Sequence, residues 1–296
     1  MRRLILALAC AALVLGAASV WAIGRSPVVT EAEIAGIAPD LARGETVFWA
    51  MGCASCHAAD GAQGDERLVL SGGHRLATPF GTFVAPNISQ DPEHGIGGWT
   101  RAEVVSAVRF GTAPDGGHYY PAFPYAAYGK ATTEDLVSLA AFLETLPASP
   151  APNAPHELGF PYSVRAGIGL WKVLFTGHGF VMPAPTPELE AGRYLAEALA
   201  HCGECHTPRN AMGGLDRSRW LAGAPNPSGE GRIPNITPAA LDWSASDIAE
   251  YLKSGFTPEF DTAGGSMAAV VAGTSRLTDA DRAAIAAYVK AVPPVE

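Results

Sequence analysis

The chain has 296 residues, 48% of them apolar and 17% charged. That composition belongs to a globular protein, excludes a disordered or collagen-like one, and sets a prior of about two domains. Basic residues number 20 against 29 acidic ones, a formal charge of −9, and three of the basic ones (Arg2, Arg3, Arg25) lie in the N-terminal segment. An acidic body argues against nucleic acid as a partner and favours a basic one. The 33 Gly and 24 Pro predict many loops and short helices.

In chain order, Leu4–Ile23 is an uncharged run preceded by Arg2 and Arg3. It fits a secretory signal peptide, with Val20 and Ala22 as small residues before a cut, or a retained signal anchor. A cleaved peptide usually has an apolar stretch of about 7–15 residues, and this one is longer. Trp21 near its far end suits a membrane interface. Residues 1–26 are therefore expected to anchor the chain in the bacterial inner membrane, with the rest on the periplasmic side. Cys10 reads as a small apolar residue of that run.

The other four cysteines form two copies of one pattern, Cys53-Ala54-Ser55-Cys56-His57 and Cys202-Gly203-Glu204-Cys205-His206. Two thiols three residues apart reach the two vinyl groups of one haem, and the adjacent His falls under the iron. The pattern predicts two covalently bound haem c, held by Cys53 and Cys56 and by Cys202 and Cys205, with His57 and His206 as proximal ligands. A zinc ribbon would want its Cys pairs roughly 15–20 residues apart, and a thioredoxin-like pair would want a βαβ context. Neither condition is met.

The chain also repeats itself. Gly44 and Gly192 precede the two motifs, Pro86-Asn87-Ile88-Ser89 answers Pro234-Asn235-Ile236-Thr237, and Trp99 and Trp243 stand equally far before Gly111 and Gly255. Helical spacing predicts helices over 101–110 and 245–254, then over 133–146 and 278–292. Thr132 or Thr133 and Thr278 are their N-caps, and Pro147 and Pro293 their stops. The expected domains are 27–147 and 188–296, joined by a Pro-rich connector, 148–187. Its apolar stretch Gly167–Phe175 reads first as a strap packed between the domains, and second as a surface that docks on a membrane or a partner.

A sixth iron ligand is drawn from Met or His as a rule. In the second half Met267, in a Gly-rich loop, is that candidate. The same offset in the first half lands on Phe123, which has no lone pair. Three outcomes stay open there: ligation by His118, ligation by His94, His74, Met51 or Lys130, or an open iron walled by Phe123. His156, His178 and His201 read as packing or surface residues.

These residues together resemble the diheme c-type cytochrome subunits of membrane-bound periplasmic alcohol, aldehyde and gluconate dehydrogenases. The resemblance rests on the two haem motifs, on Pro86-Asn87-Ile88, on the 120–125 run Tyr-Pro-Ala-Phe-Pro-Tyr, on Cys205-His206-Thr207-Pro208-Arg209-Asn210 and on Asn235-Ile236-Thr237-Pro238. It covers nearly the whole chain after residue 27. In that family the position of Phe123 is commonly Met, and three haems are frequent where this chain has two motifs. The resemblance implies a mainly α fold, two tandem cytochrome c-like domains each wrapped round one haem. It also implies electron transfer from a partner dehydrogenase or quinol to a soluble cytochrome or oxidase. On the cytochrome c pattern Pro208 is expected to orient the His206 imidazole, an aid that Ala58-Ala59 would deny His57. The alternative function is a diheme redox enzyme of peroxidase or thiosulfate dehydrogenase type, with a substrate or small ligand at an open first haem.

Overall fold

The computed structural model describes Gly24 and residues 26–229 and 231–296. The Leu4–Ile23 run, and with it the expected anchor, lies outside the described residues. Among those described, no helix is long and apolar enough to cross a membrane.

The first half runs α1 (Glu31–Ile34), α2 (Leu41–Ala50), α3 (Cys53–His57), β1 (Arg75–Thr78), β2 (Gly81–Val84), α4 (Arg101–Phe110), α5 (Tyr125–Tyr128) and α6 (Thr133–Leu143). The connector contributes β3 (Glu157–Leu158) and α7 (Gly167–Phe175). The second half has α8 (Pro187–Arg193), which runs on into a π-helical turn (Tyr194–Leu199), then α9 (Gly203–His206) and the paired strands β4 (Ala224–Pro225) and β5 (Arg232–Ile233). It closes with α10 (Ala245–Ser254), α11 (Ser266–Thr274) and α12 (Asp279–Ala291). The strands are short, and β1-β2-β3 form one antiparallel ribbon.

Local chemistry sets these boundaries. Thr100, Ser244 and Thr278 close capping boxes with Glu103, Asp247 and Asp281, and the Thr132 hydroxyl accepts from the Asp135 N–H. Gly111 and Gly255 end α4 and α10 in the left-handed conformation, φ 62° and 77°, which L side chains avoid. The helix expected over 133–146 stops at Leu143, three residues early, and the following Glu144 forms a paired bond with Arg101 of α4 at 2.7 Å.

In each half the helix before the haem motif crosses the last helix, α2 on α6 and α8 on α12. Both crossings need glycine. A Cβ on Gly44 would stand 2.1 Å from the Ser138 carbonyl oxygen, and one on Gly192 would stand 2.0 Å from that of Ala284. Gly192 lies one residue farther from its motif than Gly44 does. The π-helical turn absorbs that extra residue, so both glycines reach equivalent places.

The halves pack against each other reciprocally. The α11 helix of the second half sits on α2 and α3, and α5 of the first half sits on the π-helical turn. Ser55 Oγ donates to the Ala269 carbonyl (3.3 Å), and Arg67 and Arg276, one from each half, cover the Trp49 ring at 5.1 and 5.0 Å. The Tyr194 hydroxyl accepts from the Thr132 N–H and donates to Asp135, which Arg43 also holds. One continuous apolar core draws on both halves.

The connector begins as a strap: Asn87 Nδ2 donates to the Ser149 and Ala151 carbonyls, and β3 pairs with β2. It then reaches the second half, where the Trp171 indole donates to the Met212 carbonyl and Phe175 covers Gly214. Within α7 Lys172 is buried, its ammonium donating to the Gly111 carbonyl at 2.7 Å above the Tyr125 ring. Burial lowers its pKa from an ordinary 10.5 to about 8. Between those values the unfolded chain holds a proton that the folded chain has released, so stability rises with pH across that window. Lys172→Met should flatten the rise, read as urea midpoints at about pH 7.5 and 9.5. Partly buried Lys130, also lowered, leaves a residual slope of the same sign.

Candidate functional site

Each haem motif is a single helical turn placed by the helix before it. Gly52 (φ 66°) makes the left-handed residue that starts α3, and His201 (φ 43°) makes the same bend before Cys202. Cys53 and Cys56 then lie three residues apart on one helical face, as do Cys202 and Cys205. None of the four is in a disulfide. Burial pushes the Cys53 and Cys202 thiols up to about 12. Cys56 and Cys205 are open to solvent yet ringed by protein, and Cys205 lies near enough to raise the pKa of Cys56 beyond the effect of its surroundings. Tyr128 spans the two attachment turns: its hydroxyl donates to the Met51 carbonyl just before the first motif, and its ring meets that of His201 just before the second at 5.3 Å.

The proximal histidines are fixed in one way twice. His57 Nδ1 donates to the Pro86 carbonyl at 2.8 Å, and His206 Nδ1 donates to that of Pro234 at 2.8 Å. Burial holds both rings below the ordinary histidine range, so each is neutral, with Nε2 left as the lone-pair donor. Gly72 N–H donates to the His57 carbonyl (2.8 Å) and Gly223 N–H to that of His206 (2.7 Å). A Cβ on Gly72 would come within 2.5 Å of Pro86 C and Asn87 N, and one on Gly223 within 2.7 Å of Asn235 N. Each Pro-Asn-Ile segment is thus pressed onto its histidine, and the Asn side chain turns it by accepting from Ser89 or Thr237 N–H. This corrects the role expected of Pro208. The imidazole partners are Pro86 and Pro234, and the first half has the aid as fully as the second. The repeated Pro-Asn-Ile pair was the sequence signal for it.

Opposite these elements the halves differ. The isolated bridges Thr112↔His118 and Phe256↔Thr262 are in the same register, which aligns Phe123 with Met267 along the chain. Met267 is half-buried at the start of α11, after Gly265 (φ 53°). Phe123 packs edge-on against Tyr119, Tyr125 and Tyr128. His118 is buried, its Nδ1 2.5 Å from Ser26 Oγ. Three of the other candidates have different partners. His74 Nδ1 is 2.7 Å from Asp60, Lys130 faces Glu197, and buried Met51 accepts the Tyr128 hydroxyl at its carbonyl. His156 accepts from Val84 N–H and His201 meets the Tyr128 ring edge-on at 5.3 Å.

Sequence reasoning missed Glu197. This fully buried carboxylate in the π-helical turn accepts from the Val181 and Met182 N–H groups (2.6 and 3.0 Å) and from the Tyr288 hydroxyl (2.7 Å). Lys130 approaches it from the first half at 3.6 Å. The Tyr288 hydroxyl also accepts from Trp220 Nε1, and the Trp220 ring lies over Gly203 of the second motif.

A repeated helical unit with a Cys-Cys-His turn and a carbonyl-anchored histidine defines a c-type cytochrome domain. The chain belongs to the cytochrome c family, whose profile matches residues 41–147 and 189–293, and it carries two covalently bound haem c. It is 57% identical, over the full length of both chains, to a protein of Cereibacter sphaeroides named diheme cytochrome c-type. It is 38% identical to the fructose dehydrogenase cytochrome subunit of Gluconobacter japonicus, over 86% of this chain and 53% of that one. It is 32% identical to the gluconate 2-dehydrogenase cytochrome c subunit of Pantoea cypripedii, over 84% and 59%. The chain thus spans little more than half the length of those two subunits. The residues present fit the group: unpaired thiols one turn apart, an oriented neutral imidazole, and a cradle that only glycine allows.

Proposed function

We propose that the chain is a periplasmic electron carrier, taking electrons from a partner dehydrogenase or quinol and passing them to a downstream cytochrome or oxidase. The observation that carries this reading is the doubled His–Pro cradle within one continuous core, with Tyr128 spanning the two attachment turns. Haem iron, when bound, supplies one-electron chemistry between Fe(II) and Fe(III). The chain's own part is to hold and orient. Cys53 and Cys56 would tether the first haem and Cys202 and Cys205 the second. His57 and His206 would ligate through Nε2, each kept in one tautomer by its Pro carbonyl. Met267 would be the sixth ligand of the second. For the first we propose His118, buried five residues before Phe123. The working units would be 27–147 and 188–296 on the 148–187 connector, with residues 1–26 anchoring them to the inner membrane.

A second reading is favoured by Phe123 standing in the register of Met267. The first haem would then be open, and the chain a peroxidase-like or thiosulfate-oxidising enzyme. One experiment separates the two: a pyridine haemochrome count, and the reduced spectrum with and without carbon monoxide. Two haems per chain and a spectrum indifferent to carbon monoxide support the carrier with a protein ligand on the first iron, and make His118 the first residue to mutate. A shift of half the haem overturns that ligand and favours the second reading.

A further inference from the structure

The apolar side chains that the protein leaves in water are concentrated on the connector. Among the described residues, Phe160, Tyr162, Val164, Leu170, Val173 and Leu174 are exposed within one stretch of 15 positions, Phe160 by 87% and Val173 by 65%. The helix at its centre is inverted. A surface helix ordinarily turns its charged face outward. Here α7 buries Lys172, 8% exposed, and Gly169, and it presents Leu170, Val173 and Leu174 to the outside. The aromatic and aliphatic mixture is that of segments lying at a membrane interface.

Charge and chain path favour the same occupant. In a chain with 29 acidic residues, none falls between Leu158 and Pro187, while Arg165 and Lys172 lie there. Nor does any fall between Met1 and Thr30. The N-terminal segment also enters the fold at this helix. Lys172 Nζ donates to Ser26 Oγ (3.4 Å), and Thr112 Oγ1 donates to the next residue's carbonyl, that of Pro27 (2.9 Å). The uncharged run Leu4–Ile23 ends three residues before Ser26.

We propose that the outward face of α7, together with Phe160–Val164, lies in the headgroup region of an anionic bilayer. The proposal rests on the reading that residues 4–23 insert into that same membrane. The face would fix the orientation of both haem domains over the bilayer, where a single tether would leave them to tumble.

The test uses the haem-loaded full chain in phosphatidylcholine–phosphatidylglycerol vesicles carrying a photoactivatable phospholipid. Flotation reports attachment, and mass spectrometry maps the lipid adducts. Adducts on residues 160–175, absent from α10, support the proposal, as does their loss in a Leu170→Asp, Val173→Asp chain that still floats and keeps its spectrum. Adducts confined to residues 1–25 overturn it and leave the anchor standing. A chain that does not float overturns the anchor reading and this one with it. Cross-links between α7 of two chains, in place of lipid adducts, overturn it in favour of a second copy.

Discussion

Met267→Ala should leave two haems on the chain, open the second iron to carbon monoxide, and lower its midpoint potential by something of the order of 0.1 V, within the roughly 0.8 V that axial ligands span. The thioether is a weak, soft ligand that favours Fe(II), and water or nothing would replace it. Phe123→Met is the reciprocal change. The two halves share register through the Thr112–His118 and Phe256–Thr262 bridges, so a thioether at 123 stands at the sequence position that Met267 holds in the second half. It should offer the first haem a thioether and bring the two potentials closer together. A redox titration of wild type and both variants checks this. An unchanged curve for Met267→Ala would remove Met267 from the second iron.

Lys130→Met should cost about 3 kcal/mol of unfolding free energy, the lower end of what removing one partner of a buried ion pair costs. Glu197 has no exposed side-chain surface, and Lys130 is its cationic partner from the other half of the chain. The Val181 and Met182 amides and the Tyr288 hydroxyl keep the carboxylate hydrogen-bonded without the lysine, which is why the loss stays at that lower end. Adding Glu197→Gln should restore little of it, because both carboxylate oxygens accept from backbone N–H groups and the amide NH2 would face one of those donors. Guanidinium unfolding of the three variants measures the coupling. A single-variant cost below about 0.5 kcal/mol, the scale of an exposed pair, would mean that water reaches the carboxylate.

Much of this was readable from local pattern. The helices at 101–110 and 245–254 appear at the expected residues, because a Thr or Ser cap, an acidic third residue and a terminal Gly all act within a few positions. The Cys-x-x-Cys-His turns and the duplicated Pro-Asn-Ile segment were equally visible as motifs. What Pro86 and Pro234 do was not, since a carbonyl 29 or 28 residues along the chain reaches the imidazole only through the fold. Pro208, adjacent in sequence, was the wrong inference for that reason. Glu197 was invisible for a related cause. Its partners come from the connector, from α12 and from the other half, and nothing beside it signals a buried charge. The α7 helix was legible as apolar but not as inverted, because which face is covered depends on Gly111, 61 residues before Lys172, and on Tyr125.

The reciprocal seating of the halves also makes each attachment turn part of its neighbour's support. The α11 helix covers α3, α5 covers the turn before Cys202, and Ser55, inside the first motif, donates to the Ala269 carbonyl of the second half. A change at one haem is therefore felt first by the packing of the other half, and the two sites share one mechanical unit.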